Sequence, residues 1–131
     1  MSQTTTKSIS EFIESLKENA PDFNFDIRHI FNMGKEYKNH GVEIDEDFQL
    51  YQITVCNFVG SYRSISKNAK RAAAILEPKQ IIVYKEGEMT AVDYLPFTKE
   101  FIEQSLPEDK EFAVGLAKAC QNIIRLIKAS L

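Results

Sequence analysis

The chain has 131 residues and a mass of 15.0 kDa, the size of one ordinary globular domain. Its 44% hydrophobic residues, with 5 Gly and 4 Pro, exclude a disordered, collagen-like or disulfide-scaffold chain. The 16 basic and 19 acidic side chains leave a net charge of −3, so nucleic acid is not an expected partner. Neither a membrane span nor a secretory signal is evident, and we predict a cytoplasmic protein that does not enter a membrane.

The first helix and the first strand are predicted from local spacing. Ser8 and Glu11 form a capping-box pattern, and the apolar spacing after them predicts a helix over about residues 9–19. From Phe23 the apolar period changes to two, which predicts a half-buried strand over about 23–32.

The rest of the chain predicts further antiparallel strands and helices. The predicted elements are a helical turn at 35–40, a strand at 48–56, a helix at 62–76 closed by Pro78, strands at 80–85 and 89–94, and a short helix from Thr98 to Ser105. Gly87 lies where a hairpin turn between the last two strands needs a positive φ. These elements predict a single α+β domain over 1–131, with helices on one face of the sheet.

A C-terminal helix over about 108–130 carries an unusually wide apolar stripe. Its members are Phe112, Leu116, Cys120, Ile123, Ile124, Ile127 and Leu131. Such a stripe packs across the sheet or against a second copy. Because a small domain with this helix has apolar surface left to bury, we predict a homodimer.

The segment from Leu50 to Tyr84 carries a resemblance to a known family. It contains a strand ending in Cys56-Asn57, then a helix, then a hydrophobic strand that leads into a hairpin. Over about residues 8–97 this arrangement resembles the domain-of-unknown-function 302 family. The resemblance implies a curved antiparallel sheet with helices on one face, similar to half of TATA-binding protein and commonly dimeric. It implies no established activity, and it leaves the C-terminal helix outside the family or at its variable end.

The chain departs from that family at two positions. Family members typically have Cys-Asn-Pro at the end of the strand and Leu-Pro-Cys before the hydrophobic strand. Here Phe58 replaces the Pro, and Lys79 stands at the position of the second Cys. A paired-thiol or shared-metal role is therefore not expected, since Cys56 alone remains.

Cys56 is the residue whose position suggests chemistry. A thiol at a strand end, just before a helix N-terminus, lies where backbone N–H groups favour the thiolate. The predicted ligand-binding residues are Cys56, Asn57, Gly60, Arg63 and Lys67, and the basic ones among them, with Lys70 and Arg71, would attract an oxyanion. Two plainer interpretations stay open. Cys56 could be a small hydrophobe that fills a sheet position, and the basic residues could form a solvated helix face.

The other candidate residues suggest structural roles. Cys120 lies in the apolar stripe and is predicted to be core, and a disulfide with Cys56 is not expected in a reducing compartment. His29 follows the alternation of its strand and is predicted to be a core or interface histidine rather than a base or haem ligand, whereas His40 is predicted at the surface. No metal-site spacing and no catalytic motif occurs in the sequence, and no cofactor can be named.

These observations leave competing hypotheses about function. The first is a non-enzymatic binding or carrier domain that holds a small ligand or a sulfur species at Cys56. The alternative is a dimerisation or protein-interaction module in which Cys56 is structural. A third hypothesis is that an aromatic face of the sheet binds single-stranded nucleic acid, but the net charge of −3 argues against it.

Overall fold

The computed structural model describes residues 1–76 and 79–131, and within these ranges five antiparallel strands form one sheet in the order β1-β5-β4-β3-β2. The strands are β1 (Ser2–Thr5), β2 (Asp26–Asn32), β3 (Leu50–Cys56), β4 (Gln80–Glu86) and β5 (Met89–Tyr94). The hairpin between β4 and β5 is confirmed, with Gly87 at a φ of 61°. Together with the helices, this sheet confirms the predicted α+β class.

Strand β1 was not predicted from the sequence. Its residues are polar and show no apolar alternation, so the pattern gives no signal for a strand. The strand forms because it pairs with the edge of β5, from Ser2 opposite Asp93 to Thr5 opposite Thr90. A fifth strand therefore extends the predicted four-stranded sheet.

The helices of the described residues are α1 (Ile9–Asn19), α2 (Met33–Asn39), α3 (Phe58–Lys67), α4 (Ala72–Leu76), α5 (Lys99–Ser105) and α6 (Phe112–Ser130). Two of the predicted caps are confirmed. The side chain of Ser8 accepts a hydrogen bond from the Glu11 N–H of α1, and that of Thr98 accepts one from the Phe101 N–H of α5.

The predicted helix over 62–76 is wrong in its bounds. Helix α3 begins four residues earlier, because Asn57 caps it, and it ends at Lys67. Asn68 is extended, and its side chain caps a short 3-10 turn over Ala69–Arg71 that leads into α4. Pro78, predicted to close this helix, lies outside the described residues.

The predicted strand over 23–32 is also corrected. Phe23 belongs to a 3-10 turn, and β2 begins at Asp26. The pairing of β2 with β3 shifts register between Ile27 and Ile30, which breaks the alternation of the strand. Because β2 is also the edge of the sheet, its later half is exposed rather than half-buried, and Phe31 is 47% exposed.

The hydrophobic core lies between the sheet and helices α1, α5 and α6. Alternate strand residues such as Val55, Ile81 and Val92 meet the apolar faces of these helices, and Phe12 and Leu126 are fully buried among them. Most of the apolar stripe of α6 is therefore covered within one chain, and its remaining members, Ile124 and Leu131, are partly buried against the same core. This packing removes the argument from which the homodimer was predicted, and the homodimer stays a prediction.

Candidate functional site

A pocket of about 410 Å³ lies between helices α3 and α6. Its polar lining consists of Asn24, Asn57, Ser61, Ser64, Lys67, Arg71, Lys79, Glu111, Lys118 and Asn122. Its apolar lining is formed by Phe23, Phe25, Ile75, Phe112, Leu116 and Ala119, together with Gly60 and Gly115. The pocket thus combines an apolar wall with several groups that can bind negative charge.

The start of α3 forms one side of this pocket. The Asn57 Oδ1 atom accepts a hydrogen bond of 2.9 Å from the Gly60 N–H, which fixes the first turn of the helix. A Cβ at Gly60 would lie 3.1 Å from Asn57 Nδ2, so glycine is the residue that fits closely beside the cap. The cap therefore holds Asn57 and Gly60 together at the pocket edge.

The structure brings together only some of the predicted site residues. Asn57, Gly60 and Lys67 line the pocket, whereas Arg63 lines a neighbouring groove of about 480 Å³. Cys56 is 7% exposed and lies outside the described lining of both. Its side chain is buried where β3 passes into α3, which agrees with the interpretation of Cys56 as a small hydrophobe in the sheet and not with an accessible thiol.

Lys79 is among the pocket residues that were not predicted from the sequence to belong to a site. It is only 5% exposed, and it lines the pocket. Among the described residues, its Nζ atom makes neither a hydrogen bond nor an ion pair. Burial lowers the pKa of this amine, and the nearby thiols of Cys56 and Cys120 oppose that effect.

The position of Lys79 follows from the phase of β4. The backbone N–H of Val55 donates to the Lys79 carbonyl at 3.0 Å, which continues the pairing of β3 with β4. Lys79 precedes Ile81 and Val83 at a spacing of two, and both of these residues are fully buried on the core side of the sheet. A lysine in phase with core residues was the available signal in the sequence.

Tyr94 and Cys120 extend this polar region into the core. Tyr94 pairs with Ile81 across β4 and β5, and its hydroxyl is buried without a well-formed hydrogen bond among the described residues. Burial, and secondarily the adjacent Cys120 thiol, raise the pKa of the Tyr94 phenol well above its usual range. Cys120 itself is buried in α6, as predicted.

Arg71 and Asp109 form an ion pair beside the pocket. Arg71 Nη2 lies 2.7 Å from Asp109 Oδ1, and Asn68 Nδ2 donates to Asp109 Oδ2 at 2.9 Å. The Arg71 guanidinium also lies over the Phe112 ring, 5.2 Å from its centroid. Hydrogen bonding from Arg71 lowers the pKa of Asp109 to about 2. Arg71 is therefore buried, and its charge is balanced by that of Asp109, so it does not belong to a solvated basic face.

The histidines do not contribute to the pocket. His29 lies on β2 and is exposed, with its ring centroid 6.1 Å from that of Phe31, so the predicted core position is wrong. His40 is exposed, as predicted. Within residues 1–76 and 79–131, no cluster of His, Cys, Asp or Glu could hold a metal ion. No helix in the same ranges is long and apolar enough to span a bilayer.

The fold and the pocket define a small α+β protein with a mixed apolar and cationic cavity. The chain belongs to the domain of unknown function DUF302 family, which it matches over residues 1–129. This match confirms the resemblance and extends it beyond 8–97, so that α6 lies inside the family. The structure of the chain also resembles the crystal structure of an uncharacterized conserved DUF302 protein from Bacillus stearothermophilus. The TM-score is 0.81, the sequence identity is 16%, and the likeness covers 100% of this chain and 97% of that one.

The sequence is also similar to part of a larger regulatory protein. The chain is 28% identical over 101 residues to the capsule synthesis positive regulator AcpA of Bacillus anthracis. This similarity covers 74% of the present chain and 19% of the regulator. The chain therefore spans about a fifth of the length of that relative.

The burial of both cysteines predicts their reactivity. Cys56 and Cys120 are expected to react with iodoacetamide far more slowly in the folded protein than in urea, because both side chains are buried. Mass spectrometry of timed samples measures this difference, and the single variants Cys56→Ser and Cys120→Ser identify which thiol reacts. Rapid labelling of Cys56 in the folded wild type would instead restore the accessible-thiol hypothesis.

Proposed function

We propose that the chain is a cytoplasmic, non-enzymatic binding domain for a small molecule with an acidic group and an apolar body, held in the pocket between α3 and α6. The observation that carries this proposal is Lys79, a buried residue of the pocket lining whose amine has no counter-ion among the described residues. A buried cationic group is costly unless it is paired. An anion placed in the pocket would supply that pair.

The rest of the lining supports the same ligand chemistry. Lys67 and Lys118 add positive charge near the pocket, while Arg71 is already paired with Asp109. Phe112 and Leu116 offer an apolar wall of the kind that small-molecule pockets usually have. In this proposal the ligand lies against Lys79 rather than on the sulfur of Cys56, since Cys56 is buried outside the described lining.

A fluorescent probe with a sulfonate group tests the proposal. We expect 8-anilinonaphthalene-1-sulfonate to bind, and Lys79→Met to weaken its binding about tenfold, because one charge-assisted hydrogen bond contributes roughly 1.5–3 kcal/mol. N-phenyl-1-naphthylamine, which lacks the sulfonate, should bind both proteins equally. Lys85→Met is the matched control, because Lys85 is exposed at the end of β4.

A second variant tests whether the probe occupies this pocket. Gly115 lines the pocket, and a Cβ placed on it meets no atom within 4 Å beyond its chain neighbours and the backbone of its own helix. Gly115→Phe can therefore place a ring there without a clash at its Cβ. We expect this variant to fold and to lose the binding of both probes. Equal binding of the sulfonate by wild type, Lys79→Met and Gly115→Phe would contradict the proposal.

A specific observation also favours the alternative of a protein-interaction module. Phe58, Val59 and Tyr62 lie at the start of α3 and are exposed, and Tyr62 is 77% exposed. Single exposed apolar residues are ordinary, but three of them on neighbouring turns resemble the centre of a binding surface. The similarity to part of a regulator is compatible with either function.

A further inference from the structure

Lys79 lines the pocket, and its side chain ends in a primary amine, which is a nucleophile in its neutral form. We infer that Lys79 forms a reversible imine with small 2-oxo acids in this pocket, an inference that rests on the proposed function of the same pocket. It goes further by naming the ligand class and the atom that binds it covalently.

The surroundings of Lys79 suit this reaction. Lys79 is almost fully buried, yet it lines the pocket, and its backbone carbonyl accepts the hydrogen bond from the Val55 N–H. Two carboxylates lie near the pocket, and neither forms an ion pair with Lys79. Glu111 belongs to the lining, and Asp109 is paired with Arg71. Burial lowers the pKa of the Lys79 amine, which raises the share of the neutral, nucleophilic form.

The remaining lining favours a carbonyl compound that carries a carboxylate. Lys67 and Lys118 can attract the carboxylate, and Ser64 offers a hydroxyl hydrogen bond. Phe112 and Leu116 can cover a short aliphatic substituent on the other side of the carbonyl. A neutral ketone would lack the first of these interactions, so it should react less.

The reaction is balanced without an oxidant or a reductant. The nitrogen lone pair of Lys79 attacks the carbonyl carbon, and the carbonyl π electrons pass to oxygen. Transfer of a proton from nitrogen to that oxygen gives a carbinolamine. The carbinolamine loses its hydroxyl group together with the remaining N–H proton as water, and the nitrogen lone pair forms the carbon–nitrogen double bond. Addition of water reverses these steps and releases the unchanged acid, as binding by a carrier requires.

Reductive trapping tests the inference. The whole protein is incubated with pyruvate and sodium cyanoborohydride at neutral pH, then measured intact and after proteolysis by mass spectrometry. We expect one reduced adduct per chain, mapped to the peptide that contains Lys79. Lys79→Arg keeps a positive charge but cannot form the imine, so it should lose the adduct, and Lys85→Arg should keep it. Acetone should label the wild type more slowly than pyruvate does.

The outcomes separate the covalent inference from the proposed function. Adducts spread over surface lysines, or equal labelling of Lys79→Arg, would overturn the imine. If pyruvate displaces 8-anilinonaphthalene-1-sulfonate but leaves no adduct, the anion-binding pocket stands and the imine fails. If the sulfonate probe does not bind in the pocket at all, the proposed function fails first. Peptide mapping on the wild type decides the question even if a Lys79 variant does not fold.

Discussion

Replacing Leu126 with glutamate is expected to lower the free energy of unfolding by about 4 kcal/mol or more, which is a large part of the stability of a small domain. Leu126 is 0% exposed and belongs to the hydrophobic core that α6 shares with the sheet and α1. A glutamate there would be a buried charge without a partner, or would have to become protonated. Urea denaturation followed by circular dichroism measures the change.

The matched control lies on the same helix. Val114 is 49% exposed, so Val114→Glu should change the stability little. The Leu126→Glu variant also tests the predicted homodimer, because a charge at position 126 would separate two copies if α6 packed between them. A folded, monomeric Leu126→Glu variant of a dimeric wild type, seen by light scattering, would show that α6 packs between two copies rather than within one.

The elements that could be predicted from the sequence are those with local signals. Helix α1 agrees with its prediction at both ends, because the Ser8 cap and the apolar spacing are contained in the helix itself. The β4–β5 hairpin is equally local, since Gly87 supplies its turn. Such signals do not depend on the rest of the chain.

Other features depend on partners that are distant in sequence. Strand β1 forms only because β5 offers an edge some 90 residues away, as in the pairing of Ser2 with Asp93. Helix α6 had an apolar stripe that fitted either the sheet or a second copy, and only the tertiary packing decides between them. No local pattern contains that choice.

The pocket could be predicted only in part, for the same reason. Asn57 and Gly60 were predicted because they lie next to the end of β3, and Lys67 because it is a basic residue of the following helix. All three line the pocket. Lys79 and the α6 residues come from separate elements, and the sequence gives no distance between them. The motif that directed attention to Cys56 also marked Lys79 as a departure, and the structure makes Lys79 the residue at the pocket.

Replacing Asp109 with asparagine is expected to remove a pH-dependent part of the stability. The ordinary pKa of this carboxyl is 3.8, and hydrogen bonding from Arg71 lowers it to about 2 in the folded protein. A carboxyl with a lowered pKa stabilises the fold above its ordinary pKa, and this contribution is lost as the pH falls toward the folded value. The stabilisation by Asp109 should therefore be complete at neutral pH and disappear between about pH 4 and pH 2.

Thermal denaturation of wild type and Asp109→Asn across this pH range measures the effect. We expect the wild type to melt at the higher temperature at neutral pH, and the difference between the two melting temperatures to shrink toward pH 2. Asp45→Asn is a suitable control, because Asp45 is exposed in the loop before β3 and makes no ion pair within the described part of the chain. A difference that stays constant down to pH 2 would mean that packing around Asn68 and Arg71, rather than the charge of Asp109, stabilises this side of the pocket.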